Sequence, residues 1–472
     1  MTSLGTGKSG TGKAGASDSE ARLAEGEVRR LESAEQRRER GRPGFVERLG
    51  MHPELAIGYL GLLLFMVGDG VEAGFLSPLL RDLHFSASAV ALVFTAYGVS
   101  AALASWLSGA LSDIFGPRKV MWAGLAIWVV FEMPFLLGGI AHANYAVILG
   151  SYCLRGFGYP LFAYGFLVWI TAVTPQRYLG TAVGWFWSAR TGGLPTLGAL
   201  LASFAVPRMG EYKTLWVSVG LVVVGGLVTM LGIREATGRR PLAGKDKSGS
   251  DKNPLALLVE SLTIVWKKPK VGLGGIVATI TTTSEFGFLV FLPIFFTRVV
   301  GFTLEQWLQI LSIMFATNVA FNLLWGYVGD RIGWRRTITF VGSCGCAVTT
   351  LGLYYVPHIF GPNYLLVTVA GMAYGAALAG FVPIGAIMAT LAPESRGSAM
   401  SIMNLGSGMS TWIGPAIAGI FLPLLGVGGV IWIFAGMYLV AAVISFNLYL
   451  PGENGPGENG PGEREQQKEA AA

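Results

Sequence analysis

Charge is scarce in this 472-residue chain: only 13% of its residues are Asp, Glu, Lys or Arg. A water-soluble domain carries about 25%, so there are too few charges here to cover a water-facing surface. Those present crowd into the chain ends and a few short clusters, leaving apolar runs between them. The runs lack strand-like alternation, which excludes a membrane barrel of roughly 10-residue strands. Cysteine is limited to Cys153, Cys344 and Cys346, all inside apolar runs, so neither a disulfide framework nor a metal site is expected. Of the four histidines, none falls in an apolar run, which argues against a histidine proton relay. No nucleophile elbow or Ser/His/Asp set is present, so neither an enzyme nor a cofactor is expected. The N-terminus is long and polar, without the apolar core of a cleavable signal peptide.

What the chain does have is hydrophobic length. Its residues are 52% hydrophobic, in runs of roughly 18 to 25, enough to cross about 30 Å of hydrocarbon as helices. Twelve spans are predicted, at 55–78, 87–108, 118–140, 145–172, 180–204 and 215–233, then 271–296, 304–327, 337–356, 364–391, 398–423 and 428–450. The expected fold is an all-α membrane protein of two six-helix bundles, 51–233 and 271–450, joined by a basic linker, 234–270. A polar segment, 1–50, precedes them, and a low-complexity PGENG tail, 451–472, follows; the tail has no apolar side chain to bury and should be disordered. Within the first segment, GKSGTGKA at 7–14 nearly forms a phosphate-binding loop. Ala14 stands where a hydroxyl is required and no strand precedes the run, so a flexible tail is the better reading.

The basic residues set orientation. Sixteen Lys and Arg follow even-numbered spans, against four that follow odd-numbered ones. Positive loops stay inside, so both termini and the linker are expected to face the cytoplasm of an inner (plasma) membrane. The net charge of +6 arises in these loops and does not point to nucleic acid.

An internal repeat supports the two-bundle reading. GALSDIFGPRK from Gly109 and GYVGDRIGWRR from Gly326 lie 217 residues apart, and Gly180-Thr181-Ala182 and Gly397-Ser398-Ala399 share that offset. The repeat aligns Asp113 with Asp330, Gly116 with Gly333, Arg118 with Arg335 and Lys119 with Arg336. Duplicated six-span halves with a midplane site between them are a recurrent transporter construction. The loop run resembles the signature of the major facilitator superfamily, although Ile114 and Pro117 stand where that family often has basic residues. The resemblance implies that these loop residues form a conformational latch at the cytoplasmic face. In span 1, FMVGDGVEAGFLSPLL (65–80) resembles the polyol permease branch. That resemblance implies proton-coupled symport of a sugar alcohol by a monomer embedded in lipid. The same branch is associated with 2-oxoglutarate permeases, so uptake of a dicarboxylate or oxoacid stands as an alternative, as does proton-antiport efflux.

Six charged residues interrupt the spans: Asp69, Glu72, Glu132, Glu285, Arg155 and Arg190. An ionised group at the bilayer centre costs about 2.5–3.5 kcal/mol even on the lenient scale, so an internal polar cavity is expected. At 1.5 Å per residue, Asp69, Glu132, Glu285, Arg155 and Arg190 lie ~15–21 Å deep, near the midplane. Asp69 and Glu72 are three apart and share a helix face; because they repel when both are ionised, they are the candidates for proton coupling, with Glu285 a further one. Glu132, Arg155 and Arg190 are expected to form a charge network. For the substrate, Asn318 and Asn322 in span 8 and Asn404, Ser407 and Thr411 in span 11 recur at helical spacing. Their amides and hydroxyls suit a polyol, and Tyr164, Trp185 and Trp187 offer faces for its C–H groups. Hydrogen bonding between helices is the alternative use of the same polar residues. Gly371, Gly375 and Ala379 in span 10 are expected to make close helix contacts.

Overall fold

The computed structural model describes residues 51–174, 176–241, 263–392 and 396–449. The phosphate-loop-like run, the N-terminal segment, most of the linker and the PGENG tail lie outside the described residues. So do the side chains of Asp113 and Asp330.

All regular structure among the described residues is helical. Among the described residues, ten helices are long and apolar enough to cross a membrane. One of them, Ile402–Phe446, runs for 45 residues and reverses at Gly426, whose φ of 66° lies outside the helical range, so it makes two passes. Residues 176–209 supply one further pass, giving twelve in two six-helix bundles.

Caps show why the helices start where they do. In lipid every backbone group must be satisfied within the segment, so the free N–H groups at helix starts need partners near the water boundary. Ser86 accepts from Ala89 N at 3.1 Å to open span 2. Thr303 and Gln306 form a reciprocal capping box to open span 8. Ser86 and Thr303 are again 217 residues apart, so the repeat extends to the caps. Between spans 2 and 3, and between spans 8 and 9, Gly116 (φ 89°) and Gly333 (φ 99°) make the turn in a backbone region that side chains avoid.

Span 1 departs from the continuous helix expected over 55–78. It is helical over Ala56–Gly70 and again over Leu76–Asp82, with three-residue turns closing between Val71 and Phe75. Pro78 has no N–H for Gly74 O, which stops the first helix short of it, and close packing explains the glycines. A Cβ on Gly70 would stand 1.9 Å from Leu194 O in span 5, and one on Gly74 would stand 2.3 Å from Leu308 Cδ2 in span 8. Span 5 itself widens to a π-turn over Gly192–Leu197, which accommodates Pro195. In span 10, a Cβ on Gly375 would fall 2.0 Å from Met314 O, the tight helix contact expected there.

Several bonds join the halves. Ser77 Oγ donates to Val290 O, Trp307 Nε1 to Gly74 O at 3.0 Å, and Ser312 Oγ to Thr196 O at 2.9 Å. An Arg298–Asp82 ion pair joins spans 7 and 1 at the end opposite the repeated loops. Nearer the middle, Thr411 Oγ1 donates to Gly98 O at 2.8 Å.

Candidate functional site

The charged residues of the first half gather around one guanidinium. Arg155 ends the helix Tyr145–Arg155, just before span 4 steps aside at Gly156 and Phe157. It is fully buried. Nη1 reaches Glu72 Oε2 at 3.0 Å, Nη2 pairs with Glu72 Oε1, and Nη1 also pairs with Glu132 Oε2. Aromatic faces cover the cation: the Tyr152 and Trp128 ring centroids lie 4.5 and 4.9 Å from it. Tyr152 Oη donates to Glu72 Oε1 at 3.0 Å. Asp69, one turn before Glu72, accepts from Trp128 Nε1 at 2.6 Å. Three buried carboxyl groups therefore crowd one arginine, two of them paired with it directly.

A second group bridges the halves. Arg190 in span 5 has Tyr164 and Tyr159, and Glu285 of span 7, as its electrostatic partners. Its guanidinium lies 5.5 Å from the Trp187 ring centroid. Between the two groups is a cavity of about 50 Å³, lined by Asp69, Glu72, Ala73, Phe94, Tyr97, Tyr152, Tyr159, Leu194, Phe286, Leu289, Thr411 and Pro415. At roughly 10–15 Å³ per water on that measure, it holds only a few waters.

The predicted polar residues are placed unevenly around this site. Thr411 lines the cavity but spends its hydroxyl on Gly98 O and Gly408 O. Asn318 donates to Gly375 O at 3.1 Å and so ties span 8 to span 10, while Asn322 leans on Asn318 at 3.5 Å. Ser407 is half-buried and Asn404 is exposed one turn before it. Tyr164 and Trp187 pack together at 6.3 Å beside Arg190, whereas Trp185 points outward and is exposed. The residues the sequence reading missed are aromatic: Tyr97, Trp128, Tyr152 and Tyr159. Spacing was the available signal, because Trp128 precedes Glu132 by four, while Tyr152 and Tyr159 flank Arg155 at three and four.

At the repeated loops, the two arginines do equivalent jobs inside their own halves. Arg118 donates to Met230 O at 2.6 Å, at the end of span 6. Arg335 donates to Phe446 O at 2.7 Å, at the end of span 12, and stacks 4.3 Å from the Tyr449 centroid. Both satisfy C-terminal carbonyls that a helix cannot pair itself. Lys119 and Arg336 are exposed, and Gly109 has open space around it. Nearby, Glu235 accepts from Trp169 Nε1, Thr237 N and Gly238 N. Burial alone would raise that carboxyl, but these bonds outweigh it and hold it below the usual carboxylate range.

With this geometry in hand, the chain can be compared with known proteins. The family profile of the Major Facilitator Superfamily matches residues 58–353 and 275–472. The chain is 43% identical over 404 residues to the alpha-ketoglutarate permease of Bacillus subtilis (strain 168), covering 85% of this chain and 90% of that protein. It is 36% identical over 393 residues to the D-arabinitol transporter of Klebsiella pneumoniae, covering 83% and 92%. Among solved structures, the D-xylose-proton symporter superimposes with a TM-score of 0.65 at 16% identity, covering 84% of this chain and 97% of that one.

Proposed function

This chain belongs to the Major Facilitator Superfamily and is a multi-pass membrane transporter, and within that family we propose that it is a proton-coupled symporter of a sugar alcohol. One observation carries the substrate reading: the polar residues that line the central cavity, among as many apolar ones, are two carboxylates, three tyrosines and a threonine, with no basic side chain. The wall is mostly apolar, with carboxylate acceptors and tyrosine hydroxyls set into it, and those groups suit a neutral polyhydroxylated solute, which donates to carboxylates and exchanges hydrogen bonds with tyrosine hydroxyls. A dianion would meet like charge there. The D-arabinitol transporter among the relatives fits this reading.

In the proposed mechanism Asp69 takes the proton. Glu72 is held by Arg155 and Tyr152, and Glu132 by Arg155, whereas Asp69 has the Trp128 indole as its hydrogen-bond partner and faces the cavity. Proton binding at Asp69 removes one negative charge from the crowded cluster and offers the substrate a hydroxyl donor. Release on the other side restores the charge and favours the opposite conformation. The chain works as a monomer in the plasma membrane with both termini cytoplasmic, as the Lys and Arg bias supports. In that orientation the Arg298–Asp82 pair lies outside, so the conformation is closed toward the exterior.

The 43% identity to an alpha-ketoglutarate permease favours a second reading, uptake of 2-oxoglutarate, with Arg190 as the group that would hold its carboxylate. Uptake of labelled D-arabinitol and ribitol into proteoliposomes, with and without excess 2-oxoglutarate, separates the two. Pentitol uptake that excess 2-oxoglutarate does not reduce is expected. Uptake of 2-oxoglutarate without pentitol uptake would replace the polyol reading with the oxoacid one.

A further inference from the structure

The break in span 1 carries Glu72, and a residue of the opposite half is anchored on it. Between Gly70 and Leu76 the backbone turns on bonds from Val71 N to Gly68 O, Ala73 N to Gly70 O and Phe75 N to Glu72 O. Such a stretch leaves carbonyls that the helix does not use. Gly74 O is one of them, and its donor is Trp307 Nε1 of span 8, at 3.0 Å. Trp307 is itself buried and stacks on Phe296 at 5.1 Å. Leu308 fills the space beside Gly74 that a side chain would need. Two residues before Gly74, Glu72 pairs with Arg155. The Leu76–Asp82 helix beyond the joint is tied to span 7 through Ser77 and Asp82. The joint thus lies between a helix fixed in its own bundle and one docked on the other bundle.

We propose that Trp307 is a positioning residue: through Gly74 O it links closure of this end of the transporter to the setting of the Glu72–Arg155 ion pair. When the bundles part here, span 8 moves off span 1 and the indole leaves Gly74 O. Pro78, four residues on, has no N–H to replace the indole at Gly74 O, so the joint is left to turn and Glu72 shifts relative to Arg155. A gate contact is in this way converted into a change at the carboxylate cluster beside Asp69. The proposal rests on the proton-coupled transport reading above, but its structural half can be tested without any substrate.

Trp307→Phe keeps an aromatic ring beside Phe296 and removes the N–H donor together with three ring atoms, and Gly74→Ala perturbs the same joint without that loss of volume. Ser312→Ala deletes a different bond between the halves, the one to Thr196 O, without touching the joint. Two readouts are taken on the full-length reconstituted protein: the ratio of proton-driven accumulation to substrate exchange, and hydrogen–deuterium exchange of the amides at 71–76. For Trp307→Phe, the ratio should fall about tenfold and the 71–76 amides should exchange about tenfold faster, the weight of one hydrogen bond. Ser312→Ala should move neither by more than about twofold. Gly74→Ala reaches the same joint by displacing Leu308 and should shift both readouts the way Trp307→Phe does. If Trp307→Phe and Ser312→Ala shift the ratio alike, or if the 71–76 amides of Trp307→Phe and Gly74→Ala exchange as in the wild type, the proposal is overturned. Should no tested solute be transported, the function reading fails while the amide exchange still decides this one.

Discussion

Replacing Arg155 with leucine is expected to abolish transport and to leave a protein that barely folds. The guanidinium holds Glu72 through two bonds and Glu132 through one, with all three groups buried. Removing one partner of such a pair typically costs about 3–5 kcal/mol, because the remaining charge has neither water nor counter-ion. Two carboxylates are orphaned here, so the upper end of that range applies. That corresponds to nearly four orders of magnitude in the folding equilibrium, a large share of a typical stability. Arg155→Lys should recover little, since an ammonium cannot reproduce the two-pronged contact with Glu72. Adding Glu132→Gln to Arg155→Leu removes one orphaned charge and should restore part of the lost thermal stability. Thermal unfolding in detergent, with uptake in proteoliposomes, checks the series. Near wild-type uptake by Arg155→Leu would show that the cluster is not what holds the first bundle together.

Asp69→Asn is expected to separate driving force from translocation. Asparagine keeps the shape and an oxygen for the Trp128 indole at 2.6 Å, but it cannot carry a proton. Exchange of substrate down its gradient should stay within a few-fold of wild type. Accumulation against a gradient should disappear. A potential of 100 mV is worth about 2.3 kcal/mol per charge, so roughly fifty-fold of concentrating power would be lost at that potential. Glu72→Gln should behave differently, because it also loosens Arg155 and impairs exchange. Should Asp69→Asn still concentrate substrate, the proton carrier is another carboxylate, and Glu285 is the next to test.

Much of this architecture is legible in the sequence because lipid allows few alternatives. Apolar length demands helices, and the 217-residue repeat reveals the pairing of halves down to the caps at Ser86 and Thr303. The charged site is also visible, since a charge at the midplane is costly unless it is used. Partner choice is not visible. Asp69 and Glu72 look equivalent at three-residue spacing, and only the fold shows Glu72 on Arg155 and Asp69 on Trp128. The aromatic residues that build the cavity were hidden because Tyr97, Tyr152 and Tyr159 resemble ordinary core in an apolar span. The joint at 71–75 was hidden for a related reason. Glycine is common in membrane helices, and although Pro78 signals a break four residues earlier, the fit against Leu194 and Leu308 involves residues distant in sequence.

The central claim is that a neutral solute moves with a proton, so each cycle carries one positive charge inward. The direct measurement is pentitol uptake into proteoliposomes under an inside-negative potassium diffusion potential, with equal pH on both sides. Electrogenic symport requires accumulation driven by the potential alone, with a limit of roughly fifty-fold at 100 mV. Uptake indifferent to the potential and driven only by a pH gradient, as for a dianion carried with two protons, would contradict the claim.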